Sequence, residues 1–259
     1  MTRVIIVGCN GAMGQVLTKV ISKYEDVGIV AGFDIANDCK YDYDVYSSFD
    51  DIERATVAAD VIVDFSHPSA LEGVIKFAEK DGIPVVLATT GYSEQHLSII
   101  KAASEKIPVF RSANMSLGIN LLIDLIEKAT SVLGRGFDIE IVEKHHRLKA
   151  DAPSGTALML ADAVNAISSG SYEYIYDRHS RREKRGNKEI GIHAVRGGTI
   201  VGEHAVIFAG NDEVIEIKHS AASKEVFAEG AVKAVRFMAG KPPGLYNMAD
   251  LIKGTNKGY

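Results

Sequence analysis

The first half of the chain alternates short apolar runs with segments of helical periodicity. Five runs, none longer than five residues, have the near-continuous apolar character of strands that are covered on both faces. They lie at 4–7, 29–33, 61–64, 85–87 and 109–111. Apolar residues between them recur with helical spacing, which predicts helices at 13–21, 70–79 and 93–105. Strands that alternate with helices predict parallel βαβ units.

The pattern changes after residue 116. Five apolar residues predict the buried face of a strong helix: Leu117, Leu121, Leu122, Leu125 and Ala129. Strand-like runs then become longer, at 139–142, 190–195, 199–208 and 214–217, with a turn at Asn211-Asp212. A single helix, beginning near Ser154 and ending before Ser168, interrupts them. This pattern predicts a mixed or antiparallel sheet, and therefore a second domain.

A closing helix is predicted at 226–238, before Gly240. Periodicity alone does not place it, but we expect it to pack back against the first domain. The predicted domains are therefore residues 1–116 together with 226–259, and residues 117–225.

Composition limits the possible partners. The chain has 29 Lys and Arg against 34 Asp and Glu, and the net charge of −5 argues against general affinity for nucleic acid or acidic membranes. Two cysteines, Cys9 and Cys39, form no disulfide framework or metal-site pattern. No run approaches about 20 apolar residues, and the first residues lack the pattern of a secretory signal. We expect a soluble cytoplasmic protein without a metal site, a membrane segment or a nucleic-acid partner.

The basic stretch 178–188 is the one feature that suggests nucleic-acid binding. A solvated, mobile loop is the alternative. Because the chain is otherwise acidic and the stretch lacks interleaved aromatic residues, the loop is favoured.

A glycine turn from Gly8 to Gly14 joins the first strand to the first helix. A tight turn needs glycine, a pyrophosphate must approach bare backbone, and the N-terminus of the next helix attracts anions. The spacing Gly-x-x-Gly-x-x-Gly is weakly specific by itself, and the glycines could simply turn the chain. Asp34, at the end of the second strand, can accept hydrogen bonds from a ribose diol, so a dinucleotide site is favoured.

The same carboxylate bears on cofactor choice. Asp34 would repel a 2′-phosphate, and Ile35 offers no opposite charge, so NADH is expected in preference to NADPH. Lys40 could weaken this preference by swinging towards the site.

The segment from Glu143 to Ala157 is rich in titratable groups and runs into a helix start. His145 and His146 are adjacent at a strand end, so their side chains should point in opposite directions. Lys149 adds a charge, and the first amides of the helix, at Gly155 and Thr156, are suited to a carboxylate. We therefore predict an anion-binding site with acid–base chemistry.

Two other interpretations of this segment were weighed. Neighbouring histidines can ligate a metal, but their rings diverge on a strand and no third ligand stands at a suitable spacing. Ser154 with a histidine and an aspartate could suggest a hydrolase, but Gly-x-Ser-x-Gly is absent and Ser154 fits a helix cap.

Sequence motifs along essentially the whole chain resemble those of the dihydrodipicolinate reductase (4-hydroxy-tetrahydrodipicolinate reductase) family. The most specific is His-His-Arg-Leu-Lys-Ala-Asp-Ala-Pro-Ser-Gly-Thr-Ala at 145–157. Ala88 stands where the family has the first glycine of Gly-Thr-Thr-Gly, and Met115 stands where it has phenylalanine. Six further segments carry the resemblance: 8–14, 88–91, 112–120, 193–198, 201–204 and 240–246.

This resemblance implies an α/β fold, with a Rossmann-type parallel sheet domain and an α+β domain with a mixed or antiparallel sheet. It implies an NAD(P)H-dependent reductase of the diaminopimelate and lysine pathway that reduces a cyclic dicarboxylate to tetrahydrodipicolinate. The first domain would bind the dinucleotide, and the second would bind substrate and build a homotetramer.

The resemblance also assigns site residues. His145 is implied as proton donor, Lys149 shares in catalysis and binding, and His146, Gly155 and Thr156 grip substrate carboxylates. The implied cofactor residues are Gly8, Cys9, Asn10, Gly11, Ala12, Met13, Asp34, Ala88, Thr89, Thr90, Ser112, Ala113, Asn114 and Met115.

Two alternatives stay open at this stage. One is another two-domain NAD(P)-dependent reductase or amino-acid dehydrogenase, which would have no need of the 145–157 motif. The other is a nucleotide-sensing regulator without turnover, which would use the basic stretch 178–188 to bind nucleic acid.

Overall fold

A computed structural model describes residues 1–36 and 41–255, so Cys39 and Lys40 lie outside the described residues. The chain divides into two compact units, 1–117 with 224–259, and 118–223. The functional roles expected of the two domains remain predictions.

The first unit is built on a seven-stranded parallel sheet of order β12-β6-β5-β4-β1-β2-β3. Its strands are β1 (Thr2–Val7), β2 (Val27–Phe33), β3 (Val45–Tyr46), β4 (Val61–Asp64), β5 (Val85–Leu87), β6 (Pro108–Arg111) and β12 (Gly244–Tyr246). The five predicted strands are confirmed as parallel strands, and all except β2, which is only partly buried, are buried over most of their predicted length. The edge strands β3 and β12 were missed because neither contains a run of three apolar residues.

Helices cover both faces of this sheet. They are α1 (Ala12–Ile21), α2 (Phe49–Arg54), α3 (Leu71–Asp81), α4 (Glu94–Ser104), α7 (Glu225–Met238) and α8 (Met248–Thr255). One core contains residues of α1, α7, β1 and β4, which confirms that the closing helix packs on the first unit. A second core lies between the sheet and helices α2, α3 and α4. Ser93 caps α4 as predicted, and α2 and α8 were missed.

The second unit is built on a five-stranded mixed sheet of order β11-β10-β7-β9-β8. Its strands are β7 (Asp138–His145), β8 (Glu173–Ile175), β9 (Glu189–Arg196), β10 (Gly202–Ala209) and β11 (Val214–Ala221). Strand β7 pairs parallel with β9 and antiparallel with β10. The long helices of this region are α5 (Leu117–Leu133) and α6 (Gly155–Ile167), and both contribute to the core over the sheet. The run predicted from Thr199 enters the sheet only at Gly202.

The predicted buried face of α5 is wrong in part: Leu122 is buried and Ala129 packs against the core, but two other members of the face are exposed. Leu121 and Leu125 are 50% and 46% exposed, whereas Ile119, Leu122 and Ile126 are buried. The helix is apolar on more than one side, so its periodicity fits two faces about equally well. Packing against the sheet selects the face with Ile119 and Ile126.

The interpretation of 178–188 as a solvated loop is confirmed, since nine of its eleven residues are exposed, and its mobility stays a prediction. Its two partly buried arginines are bound to the sheet: Arg178 binds Glu140 and Glu189, and Arg185 binds Asp138, Glu140 and three backbone carbonyls. The partners lie on or beside the strands β7 and β9. The carboxylates of the sheet therefore neutralise much of the positive charge that suggested a nucleic-acid site.

Candidate active site

The glycine turn has the geometry of a backbone cradle. Gly8 adopts a left-handed φ of +79°, which a side chain would strain. A Cβ on Gly14 would lie 2.1 Å from the Gly8 carbonyl oxygen, so only glycine lets α1 pack this closely on the turn. The cradle presents bare backbone at the N-terminus of α1, where an anion is favoured.

Asp34 lies beside this cradle. Its carboxylate accepts the Asn10 amide at 2.9 Å and the Ala36 amide at 3.3 Å. A cleft of about 480 Å³ opens here, lined by Gly8, Asn10, Gly11, Phe33, Asp34, Ile35, Ala36, Phe65, Ser66, His67, Ser69 and Ala70. Bare glycine backbone, a helix start and an acid at the next strand end fit the pyrophosphate and ribose of a dinucleotide.

Three of the predicted cofactor residues have their side chains in the hydrophobic core. Cys9 and Met115 are buried there, and Met13 packs against it. Any contact that Cys9 or Met115 makes with a nucleotide therefore comes from the main chain, whereas Met13 is only partly buried. Ala12, by contrast, is an exposed first residue of α1.

The remaining predicted cofactor residues follow neighbouring strands of the sheet. Ala88, Thr89 and Thr90 come after β5, and Ser112 to Met115 come after β6. In this second loop the Ser112 hydroxyl donates to the Asn114 carbonyl, and the Asn114 side chain accepts the Ser116 amide at 2.9 Å. Both loops lie at the carboxyl edge of a parallel sheet, the usual location of nucleotide sites.

In the second unit, the buried carboxylate of Glu143 organises the end of β7. Glu143 lies two residues before His145, on the same face of the strand. It accepts the Ser154 amide at 3.0 Å and the Arg196 guanidinium at 2.7 and 2.8 Å, and it lies 2.6 Å from Nδ1 of His145. One side chain thus joins β7, β9 and the start of α6.

These contacts fix the charge of Glu143 and the orientation of His145. Burial acts to raise the pKa of Glu143, but hydrogen bonds from Arg196, His145 and Ser154 outweigh it and hold that pKa below its ordinary value. An ionised Glu143 can only accept, so Nδ1 of His145 carries the proton and donates it. The Nε2 atom of His145 is then the position at which a proton can be gained or lost. Gly202 leaves room there, because a Cβ on it would lie 3.1 Å from Nε2.

Ser154 caps α6 and does not form a hydrolase triad. Its buried hydroxyl accepts the Ala157 amide at 3.1 Å and lies 3.0 Å from Nε2 of His204. Among the described residues, Nδ1 of His204 is buried without a hydrogen-bond partner, so none of them supplies the acid of a triad. Burial and the charge of His145 lower the pKa of His204 to about 4, which keeps this ring neutral near pH 7.

The predicted substrate residues are arranged around this network. His146 directly follows β7 and is partly exposed, whereas His145 is buried. The Lys149 ammonium lies 2.9 Å from Asp151, and the Lys149 amide donates to the His146 carbonyl at 3.1 Å. Gly155 and Thr156 are the first two residues of α6, at the end of the helix that favours an anion.

The structure adds residues that sequence reasoning missed. Glu143 could have been found from the two-residue period that places it beside His145 on β7. Arg196 and His204 stood in the family-like motifs without a role, and their position became evident only from the pairing of β7 with β9 and β10.

The described residues contain neither a candidate metal cluster nor a candidate membrane-spanning helix. Within 1–36 and 41–255, no group of three or more His, Cys, Asp or Glu side chains could hold a metal ion. In the same part of the chain, none of the helices combines the length and apolar character that crossing a membrane requires.

Comparison with known proteins gives a consistent result. Family models described as "Dihydrodipicolinate reductase, N-terminus" and "Dihydrodipicolinate reductase, C-terminus" match residues 2–115 and 118–252. The chain is 56% identical over 253 residues to the 4-hydroxy-tetrahydrodipicolinate reductase of Caldanaerobacter subterraneus subsp. tengcongensis, covering 98% of this chain and 99% of that protein. It is 50% identical to the Clostridium tetani protein of the same name, covering 96% of each.

A solved structure shares the fold. It is a dipicolinate-bound dihydrodipicolinate reductase from Paenisporosarcina sp. TG-14, with a TM-score of 0.78 and 23% identity, covering 95% of this chain and 97% of that one. The two family models together match nearly the whole chain, and both relatives are at least 50% identical to it over the aligned residues. The chain therefore belongs to the dihydrodipicolinate reductase family.

Proposed function

We propose that this enzyme reduces 4-hydroxy-tetrahydrodipicolinate (dihydrodipicolinate) to tetrahydrodipicolinate with NAD(P)H in diaminopimelate and lysine biosynthesis. The observation that carries the proposal is the Glu143–His145 pair at the end of β7, which also contacts the start of α6 through Ser154. The same chain has a dinucleotide cradle. Relatives with the same activity in their names cover nearly the full chain.

The first unit binds the nucleotide through the glycine turn and its neighbouring loops. Gly8, Asn10 and Gly11 offer backbone to the pyrophosphate, and Asp34 accepts hydrogen bonds from the adenosine ribose. The loops at 88–90 and 112–115 hold the nicotinamide end. When bound, the reduced nicotinamide supplies the hydride.

The second unit binds the dicarboxylate and supplies the proton. Lys149, His146 and the first amides of α6, at Gly155 and Thr156, neutralise and orient the two carboxylates. His145 would donate a proton from Nε2 to the substrate that has received the hydride and carries negative charge, while Glu143 accepts the hydrogen bond from Nδ1. Glu143 also stabilises the ring in its charged form before the transfer.

NADH is the proposed cofactor in preference to NADPH. None of the described residues that line the cleft is Lys or Arg, and Asp34 faces the ribose position. A 2′-phosphate would therefore meet a carboxylate, with no compensating Lys or Arg among the described residues of the lining. We expect kcat/KM to be at least tenfold higher with NADH, and a strong preference for NADPH in steady-state kinetics would contradict this.

Activity is tested by following nicotinamide oxidation at 340 nm while a synthase generates the unstable substrate in the same cuvette. Omission of the synthase should abolish the signal, which separates this reaction from oxidase activity. Turnover of simple 2-oxo acids with ammonia, without turnover of the dicarboxylate, would favour an amino-acid dehydrogenase instead.

We also propose a cytoplasmic homotetramer, as the family resemblance implies. Strand β11 supports assembly through this unit, because Val214 and Ile215 are exposed apolar residues on it. Light scattering after gel filtration should give a mass about four times 27.9 kDa. Nucleic-acid binding is not proposed, since Arg178 and Arg185 are paired with acids of the sheet.

A further inference from the structure

Asp64 is a buried carboxylate that the proposed reaction does not use. It is the last residue of β4, has no solvent exposure, and lies in register with Val7 of β1 and Leu87 of β5. Its hydrogen-bond donors are neutral. The Ser66 amide donates at 2.9 Å, the Ser66 hydroxyl also donates, and the Tyr92 hydroxyl donates at 3.2 Å.

A carboxylate in this position costs stability. Burial raises the pKa of Asp64 above its ordinary value, although hydrogen bonds from Ser66, Thr89 and Tyr92 act in the opposite direction. The same burial and the nearby carboxylate raise the pKa of Tyr92. An apolar residue would fill the same place in the sheet without this cost, so packing alone does not account for an acid here.

The donors of Asp64 come from two different loops. Ser66 follows β4, lines the cleft beside the glycine turn, and packs closely on it: a Cβ on Gly8 would lie 2.9 Å from Cα of Ser66. Thr89 and Tyr92 belong to the segment after β5, which turns at Gly91 with a φ of +83°. Asp64 therefore joins the loop beside the cleft to the loop assigned to the nicotinamide end.

We propose that Asp64 is a positioning residue for the nucleotide, which sets the spacing of the loops after β4 and β5 by accepting from Ser66 and Tyr92 at once. This inference rests on the proposed nucleotide site. Asp64 needs no contact with the nucleotide, because its effect passes through the backbone of the two loops. Its removal should weaken nucleotide binding and leave the chemistry of the second unit unchanged.

The opposite end of β4 offers a matched control. Asp60 directly precedes the strand and is paired with Arg3, at 2.7 Å between guanidinium and carboxylate. It is partly exposed and lies at the amino end of the sheet, away from the loops that follow the strands. Tyr246, whose hydroxyl donates to the Pro242 carbonyl at 3.0 Å, serves as the control for a lost tyrosine hydroxyl.

The experiment measures NADH binding to the full-length protein by fluorescence titration, together with thermal unfolding, for five variants. They are Asp64→Asn, Tyr92→Phe, the double variant of these two, Asp60→Asn and Tyr246→Phe. In Asp64→Asn an amide nitrogen replaces one acceptor oxygen, so one of the two loops loses its acceptor. We expect the Kd for NADH to rise about fivefold in Asp64→Asn and in Tyr92→Phe, the value of one hydrogen bond, and to stay unchanged in the two controls.

The double variant and the melting temperature separate positioning from other roles. If both residues act through the same bridge between the two loops, the double variant should also show about a fivefold change, not the product of about 25-fold. The Tm of Asp64→Asn should change little, because relief of the buried charge offsets the hydrogen bond that is lost. Kinetic assays should give a raised KM for NADH with kcat within about twofold of wild type.

Three results would overturn the inference: NADH affinities of Asp64→Asn and Tyr92→Phe that equal those of the controls, additive effects in the double variant, or a kcat loss without a change in Kd. Tyr92→Phe and its control decide the matter if Asp64→Asn fails to fold. Failure of the wild-type protein to bind NADH would instead refute the proposed nucleotide site, so the two failures are distinguishable.

Discussion

Glu143 and Asp64 are both buried carboxylates near strand ends, yet their surroundings are opposite. Glu143, in the second unit, accepts from a guanidinium, an imidazole and an amide, and its pKa is lowered. Asp64, in the first unit, accepts hydroxyl and amide hydrogens from neutral groups, and burial raises its pKa. The two sites therefore have the same chemical group in two electrostatic settings.

The difference corresponds to the task of each unit. Acid–base chemistry needs a fixed charge that orients a histidine and stabilises its protonated form. A nucleotide cradle needs backbone held at the right spacing, and a carboxylate can do this by accepting from two loops without an opposite charge. The partners of a buried acid, and not the acid itself, decide which role it has.

The largest effect is expected at the group that Glu143 orients. His145→Gln removes the proposed proton donor, so kcat should fall about 10²- to 10⁴-fold while the Kd for NADH stays unchanged. Steady-state kinetics with a coupled substrate supply and a separate NADH titration measure the two quantities. A near-normal kcat would show that His145 is not the proton donor. It would also contradict the assignment of acid–base chemistry to the Glu143 site and of nucleotide positioning to the Asp64 site.

A smaller loss of activity is expected when the charge of the orienting group is removed. Glu143→Gln leaves Arg196 without its counter-charge and weakens the hold on Nδ1 of His145, so kcat should fall about 10- to 100-fold. The free energy of unfolding, measured in urea, should fall by about 2–4 kcal/mol.

Glu140→Gln is the matched control for this variant. Glu140 lies on the same strand and accepts from Arg178, Arg185 and His193, so its loss should lower stability comparably. Its kcat should remain within about twofold of wild type. An equal kcat loss in both variants would mean that stability, and not orientation, accounts for the effect.

In the first unit, the backbone and not a charge should be the sensitive feature. Gly14→Ala places a Cβ 2.1 Å from the Gly8 carbonyl, so α1 must move away from the turn. We expect the Kd for NADH to rise at least about tenfold and the unfolding free energy to fall by about 1–3 kcal/mol. In Gly28→Ala the new Cβ meets only the flexible Met1 side chain, at 3.0 Å, so NADH binding should be unchanged.

The smallest effect concerns the pH dependence of stability near Glu143. Burial and the charge of His145 lower the pKa of His204 to about 4 in the folded protein, whereas an unfolded histidine titrates near 6.5. Below pH 6.5 the unfolded chain takes up a proton that the folded chain does not, so stability falls as pH drops towards 4. Between pH 7.5 and 5.5 this amounts to about 1 kcal/mol.

His204→Gln should abolish this part of the pH dependence, because glutamine does not titrate. Urea unfolding of both proteins at pH 7.5 and 5.5 measures the difference. An unchanged pH dependence in the variant would show that His204 is not the group responsible.

Local features of the site were predictable from the sequence. Spacing and propensity suffice to identify the glycine turn, the strand that ends at His145 and the Ser154 cap. Each of these features depends only on residues that are close together in the sequence. The family resemblance then supplied roles that no local pattern contains.

The partners of the buried carboxylates were not predictable in this way. Arg196 is 53 residues from Glu143, and Tyr92 is 28 residues from Asp64. The acidic partners of Arg178 and Arg185 were equally unpredictable, since these arginines lie in a loop and their partners lie on strands β7 and β9. Strand register decides these contacts, and it depends on the whole sheet.

The amino-acid sequence by itself thus determined the inner strands of the first sheet, the long strands of the second, the long helices, the glycine turn and the positions of the candidate proton donor and anion-binding helix start. Only the tertiary structure decided which face of α5 is buried and which donors Glu143 and Asp64 receive. The physical reason is range: periodicity and capping act between near neighbours, whereas burial and charge pairing depend on residues that only folding brings together.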